Sequence, residues 1–154
     1  SLAESLRSMP GIQIGVGIVG PEMIDRINIL RAACLAMRRA VENLATPPDF
    51  LLVDGCPVSG LPAPSLAIVK GDSLSASISA ASIVAKVERD SMMVELGRQF
   101  PGYGFESHKG YGTASHLEAL GRLGPSAAHR KTFSPVAQLL PGRAIQMEFH
   151  FPDT

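Results

Sequence analysis

Two aspartates stand in matching surroundings. Asp54 closes the apolar run "FLLV" and precedes Gly55, and Asp72 follows "SLAIV" through Lys70 and Gly71. Each carboxylate thus ends a short apolar run beside a glycine. In open α/β sheets, functional groups gather beyond the C-terminal ends of parallel strands. If the two runs are adjacent parallel strands, ~4.8 Å apart, both carboxylates leave the same edge. Two carboxylates that close repel each other unless a cation joins them. Hard divalent ions such as Mg²⁺ prefer such oxygens, and that pairing is the basis of metal-assisted phosphoryl chemistry. Asp-Gly after a strand is also a common turn. Residues 55 to 64 are few for a parallel crossover, and an antiparallel hairpin would send the two carboxylates to opposite ends. From spacing alone both arrangements stay open.

The second stretch with chemical content is "FPGYGFESHKGYGT", residues 100 to 113, which holds both tyrosines of the chain, Tyr103 and Tyr111. So many glycines exclude a regular helix or a long strand. Between Ser107 and Pro135 the basic residues are Lys109, Arg122, Arg130 and Lys131, joined by His108, His116 and His129, while Glu118 is the only acid. A local basic region on a chain of zero net charge suits phosphate contact, although a merely solvated face would look the same.

Other chemistries find no support. There is no Gly-x-Ser-x-Gly, no phosphate-binding glycine loop ending in Lys-Ser/Thr, and no His-x-x-x-His. "GVGIVG" lacks the helix start and acidic partner of a dinucleotide site. Cys34, on a helical pattern, and Cys56, in a loop, have neither zinc spacing nor a disulfide framework, and read as two reduced thiols. No apolar run approaches the ~18 residues that would span a membrane, and no basic-then-apolar leader pattern opens the chain.

The elements that must position these residues follow from periodicity. "SLAESLRSMP" reads as the end of an amphipathic helix, with Leu2, Leu6 and Met9 near helical spacing, so the protein is expected to begin upstream. "GIQIGVGIVG" (11 to 20) predicts a strand. Pro21 opens a helix whose stripe is Ile27, Leu30, Cys34, Met37, Val41 and Leu44, stopped by "TPPD". The runs at 50 to 53 and 65 to 69 predict strands, the first buried on both faces. A long helix follows, with Ala80, Val84, Val87 and Val94 inward. Thr113 predicts an N-cap for a helix with Leu117, Leu120 and Leu123 inward, stopped by Gly124-Pro125. The order of elements implies an α/β class. The tail from 137 to 154 has a weak pattern that fits either a strand or disorder.

"PEMIDRINILRAACLAMRRAV", "LLVDG", "KGDSLSASISAASIVAKVERD", "FPGYGFESHKGYGT" and "LGPSAAHRKTFSPV" occur in one order, and together they resemble the ribonuclease HII family. The resemblance runs from about Gly11 to Val136. It implies a ribonuclease H-like mixed sheet with flanking helices over residues 1–136, here without its N-terminal strands. It also implies an endonuclease dependent on Mg²⁺ or Mn²⁺, cytoplasmic, and monomeric when complete. The substrates implied are RNA–DNA hybrids and duplex DNA carrying ribonucleotides, nicked on their 5′ side.

By the same matching, Asp54 and Asp72 are two of the family's four catalytic, metal-binding acids, and their strands are parallel despite the short link. Tyr111 is the tyrosine that contacts the ribonucleotide at the RNA-to-DNA junction. Lys70 and Lys109 are candidates for phosphate contact. Tyr103 is expected to pack the loop, and Asp90 to lie on the helix surface outside the site. The family's Asp-Glu-x-Gly-Arg-Gly segment supplies its other two acids and helps read the 2′-hydroxyl, and it has no match here. The chain alone is therefore expected to be weak or inactive, with an exposed apolar edge at 50 to 53. The alternative is a truncated or degenerate chain that binds nucleic acid or only packs.

Overall fold

A computed structural model describes residues 1–140, so most of the 137–154 tail lies outside the described residues. Helix α1 (Leu2–Ser8) is capped by Ser1, whose hydroxyl accepts the Glu4 N–H while the Glu4 carboxylate takes the terminal amine. Ala3 is its buried residue, and Arg7 pairs with Glu88 on the long helix. Leu2 and Met9, expected on an inner stripe, are exposed.

Residues 11 to 20 form no strand, contrary to the sequence expectation. They run antiparallel along α3 (Ile29–Glu42) instead. Side chains of α3 and the turn after it take two of the backbone carbonyls that a strand neighbour would take, and the Gln13 side chain adds a third link. Arg39 donates to the Ile18 carbonyl (2.6 Å), Asn43 to that of Val16 (2.8 Å), and the Thr46 N–H to the Gln13 side chain (2.9 Å). The alternating glycines serve this contact. A Cβ at Gly15 would strike the Ala40 carbonyl, and one at Gly17 that of Ala36. Alternation here marks a backbone lying close against a helix rather than a pleat.

The helix predicted from Pro21 is broken in two. Helix α2 (Pro21–Ile27) ends at Asn28, whose φ of 68° leaves the helical region. The Asn28 side chain then caps α3 by accepting the Arg31 N–H (3.0 Å). This break rotates α3, so Ala32 is its buried residue, while Leu30 and Met37 of the expected stripe are exposed.

Strands β1 (Leu51–Asp54) and β2 (Ser65–Ile68) pair in parallel, with Leu51 opposite Ser65 and Asp54 opposite Ile68. Parallel pairing thus holds across the short link. Only Val53 of β1 is buried. The expectation of a strand covered on both faces fails, because Phe50 and Leu52 on β1's side and Leu66 on β2 are exposed.

A short turn of helix, α4 (Gly71–Leu74), leads into α5 (Ala76–Gln99), capped by Ser75. Val84 is buried as expected, but Val87 is exposed, and Ile78 takes the inner place near the sheet. Helices α6 (Phe105–His108), α7 (Ala114–Leu123) and α8 (Ser134–Leu139) close the described chain. Thr113 caps α7 as predicted, accepting the His116 N–H (3.3 Å). Leu120 is buried, but Leu117 and Leu123 are exposed, because α7 turns Ala119 and His116 inward with Leu120. The main core gathers Tyr103, Phe105, Leu120 and Val136, with Leu96, Phe100 and Phe133 packed around them.

Candidate active site and recognition loop

The β1–β2 register decides where the two aspartates go. Asp54 is the last residue of β1, opposite Ile68, and the chain then runs through Val69 and Lys70 to Gly71. The Gly71 N–H donates to Asp54 Oδ1 at 2.7 Å. A Cβ on Gly71 would meet Ile78 Cδ1 at 2.5 Å, so a larger residue there would require the end of the Ile78 side chain to move. Asp72 follows directly in the first turn of α4. Both carboxylates therefore stand at one edge of the sheet, and both are exposed. Lys70 adopts a left-handed conformation, φ 55°, which turns the backbone so that Gly71 faces Asp54.

The donor set of these two residues suits a divalent cation in kind. Carboxylate oxygens are the right type for Mg²⁺ or Mn²⁺. Asp54 keeps Oδ2 beside the oxygen bound to Gly71, and among the described residues Asp72 makes only a long contact with the Ser73 hydroxyl (3.4 Å). Among the described residues, no group of three or more His, Cys, Asp or Glu gathers into a metal-binding cluster. The donors fit in kind, and the two are a partial set.

The second region is the loop carrying the tyrosines. Tyr103 is buried, stacks on Phe105 (5.4 Å, 10° between planes), and donates its hydroxyl to the Gly124 carbonyl at 2.7 Å. It is a packing residue. Tyr111 is 56% exposed, yet its N–H donates to the His108 carbonyl (2.9 Å). Lys109 and Gly110 are both left-handed, φ 52° and 77°, and this double reversal brings the ring out to the surface.

Sequence reasoning missed the partners of Tyr111 on α5. The Arg89 guanidinium lies 5.6 Å from the Tyr111 ring centre and the Lys86 ammonium 6.0 Å, within cation–π range. Arg89 also donates to the Lys109 carbonyl (3.0 Å). Their i, i+3 spacing on a predicted helix was the available signal, but it says nothing about which loop they meet. Asp90 lies on the α5 surface as expected and pairs with Lys86 (2.8 Å). That hydrogen bond lowers its pKa. Asp25 was also missed. On α2, it accepts from the Lys131 N–H (2.7 Å), the Thr132 N–H (2.9 Å) and the Thr132 hydroxyl (2.6 Å). Burial opposes its charge, but these bonds outweigh that and hold its carboxyl below the usual range.

The structure therefore places Asp54, Asp72 and Lys70 at the sheet edge, and Tyr111 and Lys109 on the α6–α7 loop. Helix α5 joins the two regions. Ile78, beside Gly71, and Lys86, beside Tyr111, differ by about 12 Å along its axis.

Fold and site together define an α/β chain that presents two exposed carboxylates at a parallel sheet edge and an exposed aromatic in a basic setting. Residues 16–136 match the family described as Ribonuclease HII, and the chain belongs to that family. Ribonuclease HII of Rhodospirillum rubrum is 52% identical over 144 residues, covering 94% of this chain and 66% of the relative. That of Geobacter metallireducens is 57% identical over 127 residues, covering 82% of this chain and 60% of the relative. The chain thus spans somewhat under two thirds of the length of these curated relatives. The crystal structure of ribonuclease H2 from Pyrococcus horikoshii superposes with a TM-score of 0.63 at 24% identity, over 79% of this chain and 65% of that one, a likeness of fold.

Proposed function

We propose that this chain is the part of a ribonuclease HII-type endonuclease that carries two of its catalytic acids and its junction-reading tyrosine. The proposed reaction is hydrolysis of the RNA strand of RNA–DNA hybrids, and of duplex DNA on the 5′ side of an embedded ribonucleotide. The observation that supports it is the Gly71–Asp54 hydrogen bond, which closes the β2–α4 turn onto the end of β1, with Asp72 the next residue after Gly71.

Each residue has a definable task. Gly71 fixes one oxygen of Asp54 and so orients the other. Asp54 and Asp72 would hold Mg²⁺ or Mn²⁺, which when bound activates water and stabilises the leaving oxygen. Lys70 and Lys109 would contact phosphates, with Lys86 and Arg89 adding positive charge beside Tyr111. The Tyr111 ring would lie against the ribonucleotide. The rest of the ribonuclease H-like sheet and the Asp-Glu-x-Gly-Arg-Gly segment of the family pattern would complete the acid set.

The test is cleavage of a DNA duplex containing one ribonucleotide, in Mg²⁺ or Mn²⁺. The chain alone is compared with the chain fused behind the N-terminal third of the Geobacter metallireducens relative. Cleavage by the fusion, abolished by Asp54→Asn, is expected; an inactive fusion that is folded and binds the duplex rejects the reading. A second reading, a non-catalytic nucleic-acid-binding chain, is favoured by the partial acid set beside an intact basic loop. Ribonucleotide-selective binding without cleavage by the fusion would select it.

A further inference from the structure

None of the histidines has a part in the proposed cleavage chemistry, yet His108, His116 and His129 are all buried and lie together. The His108 and His116 rings stack at 4.1 Å, 10° from parallel, and His116 and His129 approach through Nε2 atoms 3.1 Å apart. Every ring nitrogen of the three has a partner, and backbone groups fix the proton at both ends.

At one end, His116 Nδ1 lies 2.8 Å from the Tyr111 carbonyl. A carbonyl only accepts, so Nδ1 carries the hydrogen and a neutral His116 presents a bare Nε2. At the other end, His129 Nδ1 receives the Ser126 N–H at 3.1 Å, with the Ser126 hydroxyl at 2.8 Å. A backbone N–H only donates, so this Nδ1 is bare and the hydrogen sits on Nε2. The two ends, fixed independently, meet as one N–H facing one bare nitrogen. His108 is fixed in the same way. Its Nε2 donates to the Tyr103 carbonyl (2.7 Å) and its Nδ1 accepts the Gly110 N–H (3.1 Å).

We propose that His108, His116 and His129 form one oriented set of neutral imidazoles that pins the backbone at Gly110–Tyr111 and so positions the exposed Tyr111 ring. In this role they are positioning residues for ribonucleotide recognition, which rests on the substrate-facing reading of Tyr111. The chain runs Ser126 to His129 to His116 to the Tyr111 carbonyl, which also accepts the Thr113 N–H (2.8 Å) at the start of α7. An aromatic used for recognition gains from a backbone that is already ordered, because less freedom is lost on binding. Tyr111 combines an exposed ring with an N–H and a carbonyl that are both bound.

The test is histidine ring-nitrogen NMR on the ¹⁵N-labelled chain at pH 7.5, together with amide exchange. Expected are the Nδ1–H form for His116, the Nε2–H form for His108 and His129, and a nitrogen–nitrogen coupling across the His129–His116 bond. An Nε2–H form for His116, or rapidly averaged tautomers, overturns the proposal without any variant. In His129→Phe, exchange at Gly110, Tyr111 and Thr113 is expected to rise about 10-fold over any change in α5, and His129→Gln, which keeps a donor, is expected to restore it. Uniformly faster exchange, or failure of the glutamine to restore the loop, overturns the positioning role. Binding is then compared on ribonucleotide-bearing and all-DNA duplexes, using the fusion with Ca²⁺ in place of the active metal. If wild type shows no preference while the tautomers and exchange are as stated, the substrate reading fails and the ordering of the loop stands. If wild type prefers the ribonucleotide and His129→Phe keeps that preference in full, the positioning role fails and the substrate reading stands.

Discussion

At the β1–β2 edge, Asp54 spends one oxygen on a backbone N–H and Asp72 stands exposed, whereas around His116 each ring nitrogen has a matched partner. The first region is held by a few bonds and is open to solvent. The second is closed on itself by aromatic packing and hydrogen bonds among α6, α7 and the loop before α8. The difference fits the two proposed tasks. A carboxylate that is to receive a cation needs an oxygen left open, as Asp54 keeps Oδ2, while an aromatic that is to read a substrate gains from an ordered backbone.

The largest expected effect falls on the open edge. In the fusion, Asp54→Asn and Asp72→Asn should each lower turnover by about 100-fold or more, through loss of metal-binding charge, as read by single-turnover cleavage. Asp72→Asn should not move the denaturant midpoint appreciably, since the side chain is exposed, and Asp54→Asn should move it little, because the amide oxygen can still accept the Gly71 N–H. A substitution at either aspartate that lowers the denaturant midpoint but leaves turnover unchanged would reverse the assignment of the two regions.

Stability should show the opposite bias. Phe105, packed against Tyr103, Phe100 and the histidines, is 3% exposed. Phe105→Ala should destabilise the chain by about 3–5 kcal/mol in urea unfolding. Leu66→Ala on the sheet should stay within about 0.5 kcal/mol, because Leu66 is half exposed. Equal losses at the two sites would mean that the sheet is part of the same cooperative core.

The two tyrosines sharpen the contrast inside one loop. Tyr103→Phe removes the bond to the Gly124 carbonyl and should cost about 1 kcal/mol with ribonucleotide preference unchanged. Tyr111→Ala should leave stability nearly unchanged and weaken that preference. If Tyr111→Ala keeps full junction selectivity, the recognition role is wrong.

What the sequence revealed tracks how local the physics is. Thr113 as a cap and Gly124 as a stop need only neighbours a few residues away, and both are found. The carboxylate pair came from two apolar runs with one pattern, but the residues alone left parallel and antiparallel pairing open, and only the family resemblance chose between them. The segment at 11 to 20 misled because glycine alternation serves a pleat and a close helix contact equally well. Asn28 was hidden for a similar reason. A single left-handed residue leaves the apolar spacing around it intact, while rotating the face that is buried. The Tyr111 partners on α5 and the histidine set depend on long-range packing, which spacing does not encode.

The pH dependence tests the closed region most finely. Burial pushes the His129 and His116 imidazoles down, the neighbouring histidine charge adds to this, and the Tyr111 bond to His116 opposes it without overcoming it. The charged groups around the set are Glu118 and Arg122, which line a cavity with His108, Arg130 beside His129, and Lys86 and Arg89 at Tyr111. Above about pH 6.5 the histidines are neutral in both folded and unfolded chains, and their contribution is whole. Below that, the unfolded chain binds protons that the native rings resist, so stability falls with pH until the lowered native values are passed. The lowered carboxyl of Asp25 acts in its own window, below the ordinary aspartate range near 3.8, and so leaves the interval from pH 7 to 5 to the histidines. The urea midpoint is therefore expected to drop between pH 7 and 5, and His129→Phe should flatten that drop by removing one of the two groups. A midpoint that stays level or rises over this interval would mean that the imidazoles accept charge in place, although with both rings charged the His116–His129 Nε2 contact would set two N–H groups face to face and break.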